Sequence, residues 1–179
     1  MGLFVYLFAY CLSVICVYGN PYTLLLDFNK ITDVPSEFNT CPYFKLFTIK
    51  SYTDTPLEPF RSDSQTYLSI SEYNMWTCLS TKTRFTLNEN AKLKLAINLI
   101  SASNDSVVYV NIGDLDSAYE ALVLETGPTN GWKELSNTFE KPLLNAKLYV
   151  QVYIPPSSSL AIEYVQITNG ETTEAPTEP

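Results

Sequence analysis

The chain has 179 residues, with 11 Lys+Arg against 19 Asp+Glu, a formal net charge of −8 and no histidine. Without an imidazole there is no histidine general base and no histidine-ligated zinc, and without clustered Lys/Arg there is no surface for nucleic-acid phosphates. A hydrophobic share of 46% fits one folded domain with its own core and excludes a disordered chain.

In chain order, residues 1–19 (MGLFVYLFAYCLSVICVYG) carry no charge, and their apolar run ends at Gly19 before Asn20-Pro21. That pattern predicts a secretory signal peptide cleaved after Gly19, and so a secreted, extracellular protein. The competing reading, a membrane anchor, asks for about 20 spanning residues. The run over 3–17 is shorter, and no later stretch is apolar enough, so no stable membrane insertion is expected. Cleavage removes Cys11 and Cys16 and leaves Cys41 and Cys78. An even count in an oxidising compartment predicts one disulfide between them. It would close a loop of 37 residues and contribute about 3–4 kcal/mol in the chain-entropy picture. A reactive thiol is the alternative, but there is no histidine to activate it and no Cys-x-x-Cys.

Residues 20–168 alternate apolar and polar residues with a period of two. Over 92–99 the leucines and isoleucine share one face. Over 106–112 Val108, Val110 and Ile112 do the same, and over 147–154 Leu148, Val150, Val152 and Ile154 oppose Lys147, Tyr149, Gln151 and Tyr153. Further strand-like runs cover 22–28, 43–49, 66–70, 79–87, 118–124, 132–139 and 160–167, separated by turn clusters at 53–59, 88–90, 101–105, 127–131 and 155–159. Ten half-buried strands with no sustained helical period predict an all-β fold, a two-sheet antiparallel sandwich. Asn104-Asp105-Ser106 is an Asn-x-Ser sequon in a polar turn, the expected glycosylation site. From 169 to 179 (NGETTEAPTEP) large apolar residues stop, which predicts a solvated tail or linker.

Several residues, taken together, resemble the MAM-type domains, extracellular jelly-roll sandwiches of the galactose-binding kind. They are Leu26-Asp27-Phe28, Cys41-Pro42-Tyr43-Phe44, Thr66-Tyr67-Leu68-Ser69-Ile70 followed by Cys78-Leu79-Ser80, Asn130-Gly131-Trp132, and the closing run from Leu160 to Ile167. The pattern spans nearly all of 22–168. It departs from the family in its cysteine count and in Glu163-Tyr164, where the family has paired aspartates. The resemblance implies a jelly roll with adjacent first and last strands. It also implies a structural calcium or sodium ion at that junction, where Asp27 and Glu163 match the places of the ligands. Two solvent-facing acids beside lysines such as Lys30 are the alternative.

Three further groups are candidates for chemistry. Asp114, Asp116 and Glu120 are carboxylates close enough in sequence for glycoside hydrolysis, or for ordinary turn chemistry. Trp132 follows a Gly turn and reads as core or sandwich lid. Glu72-Tyr73-Asn74-Met75-Trp76 puts two aromatics and an amide in one turn. Tyr73, Asn74 and Trp76 are therefore candidate ligand-binding residues, the alternative being a turn folded over the core edge beside the disulfide. Tyr149 and Tyr153 oppose the core pattern and could form an exposed stripe. The reading that follows is a secreted, non-catalytic recognition or adhesion module for an extracellular protein or glycan, with no cofactor beyond the implied ion. Its alternatives are a carbohydrate-binding module using loop aromatics and a carboxylate-only hydrolase. A matrix protein has no repeats to support it.

Overall fold

The computed structural model describes residues 23–28, 38–70, 72–114 and 119–169. The expected signal peptide and the tail beyond Asn169 lie outside the described residues, as do Lys30 and Asp116. The described chain forms β1 (Thr23–Asp27), β2 (Phe38–Thr40), β3 (Phe47–Ser51), β4 (Thr66–Ile70), β5 (Thr77–Thr81) and β6 (Phe85–Leu87). It continues through β7 (Lys92–Ile100), β8 (Val107–Asp114), β9 (Tyr119–Thr126), β10 (Trp132–Thr138), β11 (Leu143–Tyr153) and β12 (Ser159–Thr168). Among the described residues the helical content is a single 3-10 turn at Tyr52–Asp54, and no helix there is long and apolar enough to cross a membrane.

Two antiparallel sheets face each other. The first runs β10-β7-β12-β4-β3, with β1 also paired to β12; the second runs β2-β5-β11-β8-β9, with β6 also paired to β11. The first and last strands are neighbours, in register from Thr23 opposite Thr168 to Asp27 opposite Tyr164. This is the expected all-β jelly-roll sandwich. The alternation seen in the sequence becomes a common core: Leu93, Leu95, Ile97 and Leu99 from β7 meet Val108, Val110 and Ile112 from β8 and Leu148, Val150 and Val152 from β11.

The strand reading needs three corrections. The run expected over 43–49 becomes a strand only from Phe47, with Tyr43 in a turn at φ 70°. Residues 79–87 are not one strand. The polar, exposed run Lys82-Thr83-Arg84 breaks them into β5 and β6, which both pair with β11, at 149–152 and at 143–146. And β2 was missed, because three residues are too few to show a period. At the far end, Asn169 is buried and accepts a hydrogen bond from the Asn88 N–H (2.8 Å) while donating to the Thr86 carbonyl (2.9 Å).

A bulge in β12 decides what the first sheet shows to the outside. Ile162 pairs with Ile97 and Tyr164 with Ala96, so β12 carries one extra residue at Glu163. Leu160 and Ile162 before it, and Val165 and Ile167 after it, all face the core. Glu163 and Tyr164 are thereby both turned to the outer face, beneath the segment 52–65.

Candidate functional site

The outer faces of the two sheets are treated differently. On the first sheet, segment 52–65 forms a cover. Tyr52 and Leu57 pack on Tyr67, Ala161 and Trp132. The Trp132 indole N–H donates to the Glu58 carbonyl (2.7 Å), and Phe60 lies against Trp132 and Tyr164. Trp132 is thus a lid, as one of its two readings held.

Arg61 is the pin of that cover. Its guanidinium donates two hydrogen bonds to Asp27 (2.6 and 2.9 Å) and, through Nε, one to Glu163 Oε2 (2.9 Å), and it lies 5.3 Å from the Tyr164 ring centroid. Glu163 is 0% exposed and also accepts from the Tyr52 hydroxyl and from the Phe60 and Arg61 N–H groups. The sandwich does bring Asp27 and Glu163 together. What lies between them is Arg61, and Glu163 is not the solvent-facing acid of the alternative reading. Hydrogen bonding to Asp27 holds the Arg61 guanidinium firmly in its charged form. Burial, and then the Glu163 charge, push the Tyr52 hydroxyl well above its ordinary range. Tyr164 donates to Glu134, which lowers the Glu134 carboxyl below its ordinary range, with Lys94 adding to the effect.

On the second sheet the outer face is open in part. At its β2–β5 side the Cys41–Cys78 disulfide (Cα–Cα 5.3 Å) packs with Phe44 on Tyr149. Tyr149 is only 3% exposed, so the expected tyrosine stripe is half covered. Beyond the disulfide, Tyr109 on β8 and Tyr153 on β11 are diagonal neighbours, since Tyr109 is directly opposite Gln151. Trp76 lies over both. Its ring is 5.9 Å from Tyr109, with planes 15° apart, and 5.5 Å from Tyr153. Trp76 remains 40% exposed, so its ring covers these two tyrosines without being packed into the core. Beside the rings, Asn111 donates its amide to Gln151 Oε1 (3.3 Å).

The turn that carries Trp76 is held from three sides. The Trp76 carbonyl accepts from Lys45 N–H (2.9 Å), Asn74 N–H donates to the Ile154 carbonyl (2.9 Å), and the Lys45 ammonium pairs with Glu72 (3.1 Å). Asn74 has φ of 57°, a left-handed conformation that asparagine tolerates in turns. The three candidates of this turn are therefore separated: Trp76 joins Tyr109 and Tyr153, Tyr73 lines a cavity on the other side, and Asn74 shapes the backbone between them. Of the acids offered for hydrolysis, Asp114 ends β8 and Glu120 lies in β9, one register step away. Asn104 is exposed in its turn, while the hydroxyl of Ser106 is tied to Ser101 (2.6 Å).

Tyr109 and Arg61 were not singled out from the sequence. Tyr109 carried a usable signal, since it alternates with the core residues Val108 and Val110 and so had to face outward. Arg61 had none, because it sits in a loop and meets its partners across 34 and 102 residues of sequence.

No family model matches the chain, and no curated protein matches it. Solved structures do. The K1 cleaved adhesin domain of Lys-gingipain from Porphyromonas gingivalis has TM-score 0.58 at 12% identity, over 83% of this chain and 99% of that one. The CBM22-1 xylan-binding domain from Paenibacillus barcinonensis Xyn10C has TM-score 0.56 at 12% identity, over 84% and 94%. A family 29 carbohydrate-binding module has TM-score 0.54 at 9% identity, over 84% and 90%. At such identities the likeness is one of fold: it is the jelly-roll sandwich, and the finer resemblance to MAM domains is not confirmed by it.

Proposed function

We propose that this chain is an extracellular, non-catalytic module that binds glycans on the outer face of its second sheet. The observation that carries this is the open platform of Trp76, Tyr109 and Tyr153 beside the Asn111–Gln151 amide pair, on the one sheet whose outer face the loop cover leaves free. Aromatic faces stack on the C–H faces of pyranose rings, and the half-buried Gln151 amide, oriented by the buried Asn111, takes hydroxyl hydrogen bonds. Because the Trp76 turn is already pinned, little conformational entropy is lost on binding. Glu125, directly across from Tyr109 and exposed, and the acidic balance of the whole chain favour neutral sugars over uronates or sulfates. The carbohydrate-binding modules among the solved structures support this reading above protein adhesion.

Affinity electrophoresis on neutral polysaccharides and a glycan array test it. The wild-type chain is retarded by at least one neutral glycan, and Trp76→Ala weakens that binding about thirtyfold, the loss of roughly 2 kcal/mol typical of an aromatic anchor. No reducing ends are released over the incubation, in keeping with binding and not hydrolysis at Asp114, Asp116 and Glu120. Protein adhesion is the second reading, favoured by the exposed Tyr43, Leu46 and Met75 close in sequence to the pinned turn and its Lys45 anchor. An array with no bound glycan would leave it in front.

A further inference from the structure

A cavity of about 270 Å³ opens on the far side of the Trp76 turn, where the ends of β4, β7 and β11 converge on the start of β12. Its walls are Leu57, Ile70, Tyr73, Ile100, Ile154 and Leu160, completed by serine and threonine hydroxyls. Among the described residues one charged side chain lines it, Lys50. Lys50 stands directly opposite Tyr67 across β3–β4, and both line the cavity. Among the described residues the Lys50 ammonium has no ion-pair partner. Tyr67 is 4% exposed, yet its hydroxyl makes no hydrogen bond among the described residues. That leaves the Tyr67 hydroxyl free to donate to a group held in the cavity it lines. The exposed Lys50 ammonium on the same cavity wall, without an ion-pair partner among the described residues, favours an anion as that group.

We infer that this cavity is a binding site for a small carboxylic acid with an apolar body. Its carboxylate accepts from the Lys50 ammonium and the Tyr67 hydroxyl, and its hydrocarbon part lies between Ile70, Ile100, Ile154 and Tyr73. At about 30 Å³ per water the cavity holds some nine water volumes, the size of a ligand of about eight to ten heavy atoms. The site is separate from the aromatic platform and does not depend on the glycan reading.

Octanoate is the probe and 1-octanol its neutral counterpart, each titrated into the full chain and followed by ¹H–¹⁵N NMR. Octanoate gives saturable shifts at the amides of Ile70, Ile100 and Ile154, with a Kd of about 1 mM or tighter. Lys50→Gln weakens it about tenfold, and Tyr67→Phe does so by a similar factor. Lys82→Gln, which removes an exposed cation in the β5–β6 turn, leaves it unchanged. Three results would overturn the proposal: no saturable shift at these amides, octanol bound as tightly as octanoate, or equal weakening by Lys50→Gln and Lys82→Gln.

Discussion

Arg61 shows most plainly how one side chain can hold a surface in place. Glu163 is fully buried, and its charge is met by a guanidinium, a tyrosine hydroxyl and two backbone N–H groups. Removing one member of such a pair leaves a buried carboxylate short of its counter-charge, which costs about 3–5 kcal/mol. Arg61→Met is therefore expected to lower Tm by ~6–20 °C for a domain of this size. Adding Glu163→Gln to it recovers part of the loss, because the uncompensated charge goes too. Thermal melts of the two variants check this, and a Tm within ~2 °C of wild type for Arg61→Met would contradict it. At this scale the sequence showed the acids but not the base. Asp27 and Glu163 are conspicuous because they interrupt apolar runs at the two chain ends. Arg61 lies in a polar loop, where one arginine resembles any other.

At the scale of elements, the long strands were legible because a half-buried strand must alternate, and β7, β8, β11 and β12 do. Alternation failed where it had too little length to act, as in β2, or where a polar turn let two strands share one neighbour, as with β5 and β6. The bulge at Glu163 was also hidden, since a single extra residue changes which face the following residues occupy without altering their composition. The disulfide was legible from parity alone. It joins segment 41–46 to β5, and that segment supplies the N–H that anchors the Trp76 carbonyl. Replacing Cys41 and Cys78 together by serine is expected to reduce unfolding free energy by about 3–4 kcal/mol. Denaturant titration measures this, and a loss under ~1 kcal/mol would show that the loop is already constrained by its packing.

At the scale of the whole molecule, function follows from an asymmetry between two sheets of the same kind. Both bury one face in the common core. The first then has its outer face sealed by segment 52–65, with Trp132 as part of the seal. The second leaves Tyr109, Tyr153 and Trp76 open beyond the disulfide. The sequence predicted which residues point outward but not which outward faces are covered, because coverage depends on where a loop returns in space. Hence Tyr149 and Tyr153, identical by pattern, end up one buried and one in the platform.

The two tryptophans of the chain, Trp76 and Trp132, report separately on the two outer faces. Their indole N–H signals in a ¹H–¹⁵N spectrum, followed during titration with a neutral oligosaccharide that the array identifies as bound, test the central claim. The account predicts that the Trp76 signal moves saturably while that of Trp132, bonded to the Glu58 carbonyl beneath the cover, stays in place. Movement of Trp132 with Trp76 unchanged would contradict it.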